Sequence, residues 1–265
     1  MFDARDHPID ADAPPVTLLE AATRGDVKGI GSMLAEGGAA VDHASTTGTT
    51  ALMASAHAGQ APAVALLLRN GADAALHDSV GGNTALILAA AAGHADCVKL
   101  LLDACSTCLT KQDSEGRSAL LYAARRGHVA IIHHLLDSLN EDATARINLV
   151  DLADETGLTP LMASALRGQH EALCLLLDAG ATVGARDMTG MEALHAAASG
   201  GHRDCCETLL RSGARPDSLD GDGCMPAELA ANDECRALLQ SALDDLYEHW
   251  SEKSYDSAQD DRPWH

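Results

Sequence analysis

Two groups of residues have the types and spacing for chemistry. Cys105-Ser-Thr-Cys108 is a CxxC, the arrangement of a redox dithiol or of half a zinc site. It stands alone, because no second CxxC lies at ligand spacing and no strand-then-helix pattern surrounds it. The second group is basic: SALLYAARRGH, residues 118 to 128, sets Arg125 and Arg126 side by side in a chain whose formal net charge is -21. Nothing else suggests a reaction. His133 and His134 are neighbours that point apart on a helix, and His94, His128 and His202 each follow a glycine, where a structural hydrogen bond is the expected role. No H-x-x-x-H pair, G-x-S-x-G, phosphate loop or G-x-G-x-x-G stands in its required context, so no catalytic residue, metal ligand or cofactor is assigned.

Charge and composition narrow the partners. Thirty-nine acidic against 18 basic residues argue against nucleic acid and anionic membranes, both of which are held by Lys and Arg on phosphate. There is no run of about 20 apolar residues and no basic-then-apolar leader, so the reading is an intracellular protein, cytoplasmic or nuclear, with its eight cysteines expected as reduced thiols. Residues 1–13 are an acidic lead and residues 246–265 an acidic tail, both expected to be disordered.

The elements that position these groups come from self-similarity. VTLLEAATRG, TALMASAHAG, TALILAAAAG, SALLYAARRG, TPLMASALRG, EALHAAASGG and MPAELAANDE align on Val16, Thr50, Thr84, Ser118, Thr159, Glu192 and Met225, at steps of 34, 34, 34, 41, 33 and 33. Six residues after each anchor every unit has Ala, and eighteen after it every unit has Leu, from Leu34 to Leu243. The anchor hydroxyl is expected to cap a first helix, and the glycine nine residues on to end it. A second helix then carries an apolar stripe at offsets 14, 17 and 18. A unit this small cannot bury its stripe alone and must stack on its copies.

TPLMASALRGQHEALCLLLDAGATVGARD, ALHAAASGGH and LLLRNGAD resemble the ankyrin repeat, with its T-P-L-H-x-A-A, G-H, L-L and G-A-D elements. The resemblance covers about residues 14 to 245 and departs at the His after Leu, kept only as His195, and at the G-A-D turn of the third and fourth units. It implies an all-α solenoid of stacked helix-turn-helix units with projecting hairpin-like loops, seven units including atypical terminal caps. It also implies a non-catalytic module that binds another protein on the concave face formed by first helices and loops, as adaptor, scaffold or regulatory inhibitor. The array length and short tails are similar to those of ankyrin-only proteasome-assembly chaperones, an alternative on fold analogy alone. A thiol-redox or zinc-binding protein acting through Cys105 and Cys108 is the alternative of another class.

In the family's frame the residue before the anchor and offsets 7 and 8 face the partner. Arg117, Arg125, Arg126 and Arg167 fall there on adjoining units, with Leu158, Leu166 and Met191 as apolar companions and Tyr122 nearby at a half-buried offset. Arginine beside exposed apolar groups is the composition of a binding hot spot. The expectation is a monomer that docks an acidic segment of a partner protein at units four to six. The 41-residue step places an insertion at about 139–154, a recognition element or a tolerated loop.

Overall fold

Hydroxyls on the anchors start the helices. In this computed structural model, which describes residues 17–35, 40–138 and 148–257, the side-chain oxygens of Thr50, Thr84, Ser118 and Thr159 accept from the amide three residues on, at 3.2–3.3 Å. The first unit is shifted by one residue: its cap is Thr17, accepting from the Glu20 amide at 3.2 Å, because Val16 has no acceptor to offer. Glu192 replaces the hydroxyl with a reciprocal cap, in which its amide donates to His195 Nδ1 at 3.2 Å.

Six helix pairs follow: α1 (Leu18–Arg24) and α2 (Val27–Ala35), α3 (Ala51–His57) and α4 (Ala61–Arg69), α5 (Ala85–Ala92) and α6 (Ala95–Ala104), α7 (Ala119–Arg126) and α8 (Val129–Asp137), α9 (Pro160–Leu166) and α10 (His170–Asp178), α11 (Ala193–Gly200) and α12 (Arg203–Arg211). First helices pack on first helices and second helices on second helices, giving two layers with the core between them. The repeated alanines, such as Ala56, Ala90 and Ala124, are fully buried where the first helices approach one another. Gly59 shows why each first helix ends in glycine. Its φ is +72°, and a Cβ there would lie 2.6 Å from the ring of His94 in the next unit.

The apolar stripe is buried as expected at offset 14, with Val64, Val98, Ile132 and Leu173, and at offset 17, with Leu67, Leu101, Leu135, Leu176 and Leu209. Offset 18 departs: Leu136 and Leu243 are buried there, but Leu68, Leu102, Leu177 and Leu210 pack against the core from its edge.

The array ends differently from the expectation. No first helix forms in the seventh unit among the described residues: 226–228 is a turn, tied to α11 by the Ala231 amide donating to the Ala198 carbonyl at 3.0 Å. Met225 supplies no cap, and the Asn232 side chain, accepting from the Cys235 amide at 2.8 Å, starts a new helix instead. That helix, α13 (Asp233–Ser257), buries Cys235, Leu239 and Leu243 and continues past residue 245, where the sequence reading ended the array. Neither Gly nor Pro interrupts it, so nothing stops its propagation.

The lead 1–13 lies outside the described residues, as does 139–147 of the insertion. The rest of the insertion has rejoined the repeat. Leu149 and Val150 are fully buried, and Asp151 accepts from the Thr182 amide at 2.9 Å as Asp42 accepts from the Asp73 amide at 3.0 Å. The extra residues therefore precede Asp151 and do not extend to 154.

Candidate partner-binding face

Hairpins project between units, and each is closed by one side-chain acceptor. Five residues before the anchor stand Ser45, Asp113, Asp154, Asp187 and Asp220. Asp154 Oδ1 accepts from the amides of Thr156 and Leu158 at 2.8 and 3.0 Å, and Asp187 Oδ1 from those of Thr189 and Met191 at 2.8 and 3.0 Å. Asp220 does the same for Asp222 and Cys224, and Ser45 for Thr47 and Thr49 through its hydroxyl. Asp78, one residue earlier in a longer loop, holds Gly81 and Asn83. Successive hairpins are then stitched together: the amides of Ser79, Ser114, Glu155, Met188 and Gly221 donate to the carbonyls of Thr47, Gly81, Glu115, Thr156 and Thr189. Part of the acidic surplus is thus turn architecture. The column is visible in the repeat spacing, among residues that are neither basic nor part of a catalytic pattern.

Asp113 is the most heavily used of these acceptors. Its Oδ1 takes the amides of Glu115 and Arg117, both at 2.9 Å, and its Oδ2 takes the Tyr122 hydroxyl at 2.8 Å and Arg117 Nε at 3.0 Å. The side chain is 1% exposed. Burial would raise its pKa, but the hydrogen bonds from the two amides, Tyr122 and Arg117 outweigh that and hold the carboxyl below its ordinary value. Burial and the bond to Asp113 push the Tyr122 phenol up to about 12.

The predicted arginines separate into two kinds. Arg117 is committed: besides Asp113 it pairs with Glu115 at 2.7 Å, and its guanidinium lies 5.1 Å from the centre of the Tyr122 ring. Arg126, expected from its offset to face the partner, donates through Nη1 to the Ala91 carbonyl of the preceding unit. The Arg125 and Arg167 side chains make no hydrogen bond or ion pair among the described residues. Leu166, beside Arg167, is 38% exposed. Leu158 packs against the core and is only half available, and Met191 is half-buried next to the Asp187 turn.

The commitment of Arg126 explains an irregularity in the histidines. His94 Nε2 bonds the His57 carbonyl at 3.0 Å and His202 Nε2 the Leu166 carbonyl at 3.2 Å, as expected of their position. His128 departs from the expectation: its Nε2 is buried without a hydrogen-bond partner of ordinary geometry. Burial first, then the Arg126 charge, lower its pKa against a weaker pull from the Ala91 carbonyl.

Among the exposed apolar residues outside the expected set, two stand out. Met188 is 80% and Val80 75% exposed, each within two residues of a turn carboxylate, at hairpin tips that the helix columns do not sample.

The thiols also divide. Cys97, Cys205, Cys206 and Cys235 are buried and free, and Cys206 is the small core residue its offset implied. Burial pushes Cys97 and Cys205 up to about 11 and Cys206 to about 12, so they stay protonated. Cys105 and Cys108 correct the expectation of eight reduced thiols: they are paired as a disulfide with Cα atoms 5.6 Å apart. The turn that replaces G-A-D folds the CxxC back on itself and brings the sulfurs together. Among the described residues no group of three or more His, Cys, Asp or Glu could hold a metal ion, and no helix is long and apolar enough to cross a membrane.

The family model for ankyrin repeats (3 copies) matches residues 18–110, 60–151, 105–187 and 144–220. The fold is similar to the crystal structure of the human ASB11 ankyrin repeat domain, with 24% identity over 86% of this chain and 98% of that one and a TM-score of 0.74. It is also similar to the ankyrin repeat domain of Bcl-3, a member of the IkappaB protein family, with 25% identity, the same coverage of 86% and 98%, and a TM-score of 0.70. No curated protein sequence matches the chain. Stacked helix pairs, hydroxyl-capped first helices and stitched hairpins over the matched residues make the assignment plain: the chain belongs to the ankyrin repeat family.

Proposed function

We propose that this chain is a non-catalytic, monomeric interaction module of the cytoplasm or nucleus, serving as adaptor, scaffold or regulatory inhibitor. Domains of this family are generally protein–protein interaction modules. The partner is a protein that presents an acidic segment to the first-helix and hairpin face of units four to six.

The observation that carries this reading is the pair Arg125 and Arg167. Two cations without partners among the described residues, at the C-terminal ends of adjoining first helices in a chain with net charge -21, keep full capacity for a carboxylate. Leu166 supplies the apolar contact beside them, and Met191 a further edge. Arg117 and Arg126, held by the protein itself, shape the face more than they read the partner.

Affinity capture from the native cell with mass spectrometry tests the reading when run beside the Arg125→Glu/Arg167→Glu double variant. Loss of a specific partner in that variant, with retention in an Arg69→Glu control on the second-helix layer, is the expected result. Equal recovery by all three proteins would sink the proposed face.

A further inference from the structure

The outer turn of the third unit lacks the glycine that closes the second, fifth and sixth. Gly71, Gly180 and Gly213 lie 21 residues after their anchors with φ of +84°, +92° and +90°. Each lets the next amide close on the end of its helix: Ala72 donates to Leu67, Ala181 to Leu176 and Ala214 to Leu209, at 2.9–3.1 Å. The third unit has Cys105 at that offset, with extended φ of -147°. A side chain opposes the left-handed turn, so the segment Ser106–Thr110 winds into a 3₁₀ turn, held by the Cys105 amide on the Leu101 carbonyl and the Cys108 amide on the Cys105 carbonyl. Cys108, 24 residues after the anchor, takes the place of Ala74 and is 1% exposed, while Cys105 is half exposed.

We propose that Cys105 and Cys108 are a reversible thiol–disulfide site whose covalent closure substitutes for the absent glycine turn and sets the order of the hairpin that follows. This stands independently of the partner reading, because every readout is on the chain itself. The route to the hairpin is short. Gln112 stands two residues after the 3₁₀ turn, pairs with Ser118, and donates through Nε2 to the Ala153 carbonyl at 2.9 Å and to the Gly116 carbonyl, so it ties the Asp113–Arg117 loop to the next unit.

The exchange partner is a dithiol in the reducing direction. Its thiolate attacks Cys105 Sγ, the accessible sulfur; the S–S bond breaks and Cys108 leaves as thiolate, taking a proton from solvent. The second thiol of the dithiol then displaces Cys105 from the mixed disulfide. Two electrons and two protons have reached the protein, and the dithiol is left as a disulfide. Oxidation is the reverse, with a disulfide as oxidant. Once reduced, Cys108 Sγ can donate to the Ala74 carbonyl 3.4 Å away, and Cys105 Sγ lies 3.3 Å from Thr107 Oγ1, so both states have a seat. The remaining cysteines are free.

The test uses the full chain in oxidised and reduced dithiothreitol. Thiols are trapped by alkylation under denaturing conditions, and amide hydrogen exchange over 104–117 is followed by mass spectrometry. Cys105 and Cys108 should be blocked after oxidation and labelled after reduction. Exchange over 104–117 should be roughly tenfold or more faster in the reduced protein, as loss of the four-residue closure implies. The Cys105→Gly variant introduces the turn residue of the second, fifth and sixth units and should exchange slowly whatever the reductant. Labelling of both cysteines after oxidation, equal exchange in the two states, a redox response surviving in Cys105→Gly, or stoichiometric zinc on the purified protein would each overturn the proposal.

Discussion

The Arg126 guanidinium donates to the Ala91 carbonyl one unit back and thereby occupies the place that a turn histidine reaches elsewhere in the array. His128, which the repeat aims at that carbonyl, is left with a buried nitrogen and no partner of ordinary geometry. A cation read from the sequence as a binding group is a clamp between units, and its cost falls on the neighbouring imidazole.

Removing the clamp should release the histidine. In Arg126→Ala the positive charge goes and the Ala91 carbonyl is freed, so the His128 pKa, lowered in the parent by burial and by Arg126, should rise in an NMR titration. A histidine whose folded pKa is lowered contributes stability above its unfolded value of about 6.5 that is lost as pH falls through the folded one. The parent should therefore lose stability below about pH 6.5 more steeply than Arg126→Ala. An unchanged His128 titration would contradict the competition for Ala91.

The Asp113 turn should be sensitive to acid and to its partners. Its folded pKa is lowered, so its contribution is complete above the unfolded value of about 3.9 and disappears as pH falls through the folded value. Asp113→Ala strands four donors and should cost roughly 2–4 kcal/mol in urea unfolding. Tyr122→Phe removes one charge-assisted bond and should cost about 1–2 kcal/mol. Equal midpoints for Tyr122→Phe and the parent would show that the hydroxyl contributes nothing.

The core register is open to a direct comparison. Leu101→Ala empties a fully buried site and should cost roughly 2–5 kcal/mol, while Leu102→Ala, at the edge of the core, should cost less. Denaturation midpoints in the reverse order would mean that offset 18, the invariant leucine column, is the deeper one.

Gly59 combines a left-handed φ with the close approach of His94. Gly59→Ala should destabilise by at least about 1–2 kcal/mol from the backbone alone. In thermal unfolding Gly31→Ala is the comparison, since a Cβ there meets nothing within 4 Å and its φ is ordinary. There the replacement should be neutral or stabilising by about 0.5–1 kcal/mol. Similar shifts for both variants would place the strain elsewhere.

What the sequence determined by itself is what the unit repeats. The period, the capping Thr50, Thr84, Ser118 and Thr159, and the helix-ending glycines all act within a few residues of their own position, so one chain copied several times displays them as columns. The turn acceptors Asp113, Asp154, Asp187 and Asp220 form an equally legible column, five residues before each anchor. The tertiary structure decided what departs from the copy: which arginine is bound and which is free, that Met225 starts no helix, and that Cys105 faces Cys108. Each depends on a group in the next unit or on a turn whose shape is set by the absence of a residue. Arg125 and Arg126 are equivalent as letters in a sequence. Only the stacked unit that places the Ala91 carbonyl within reach of one of them makes the difference.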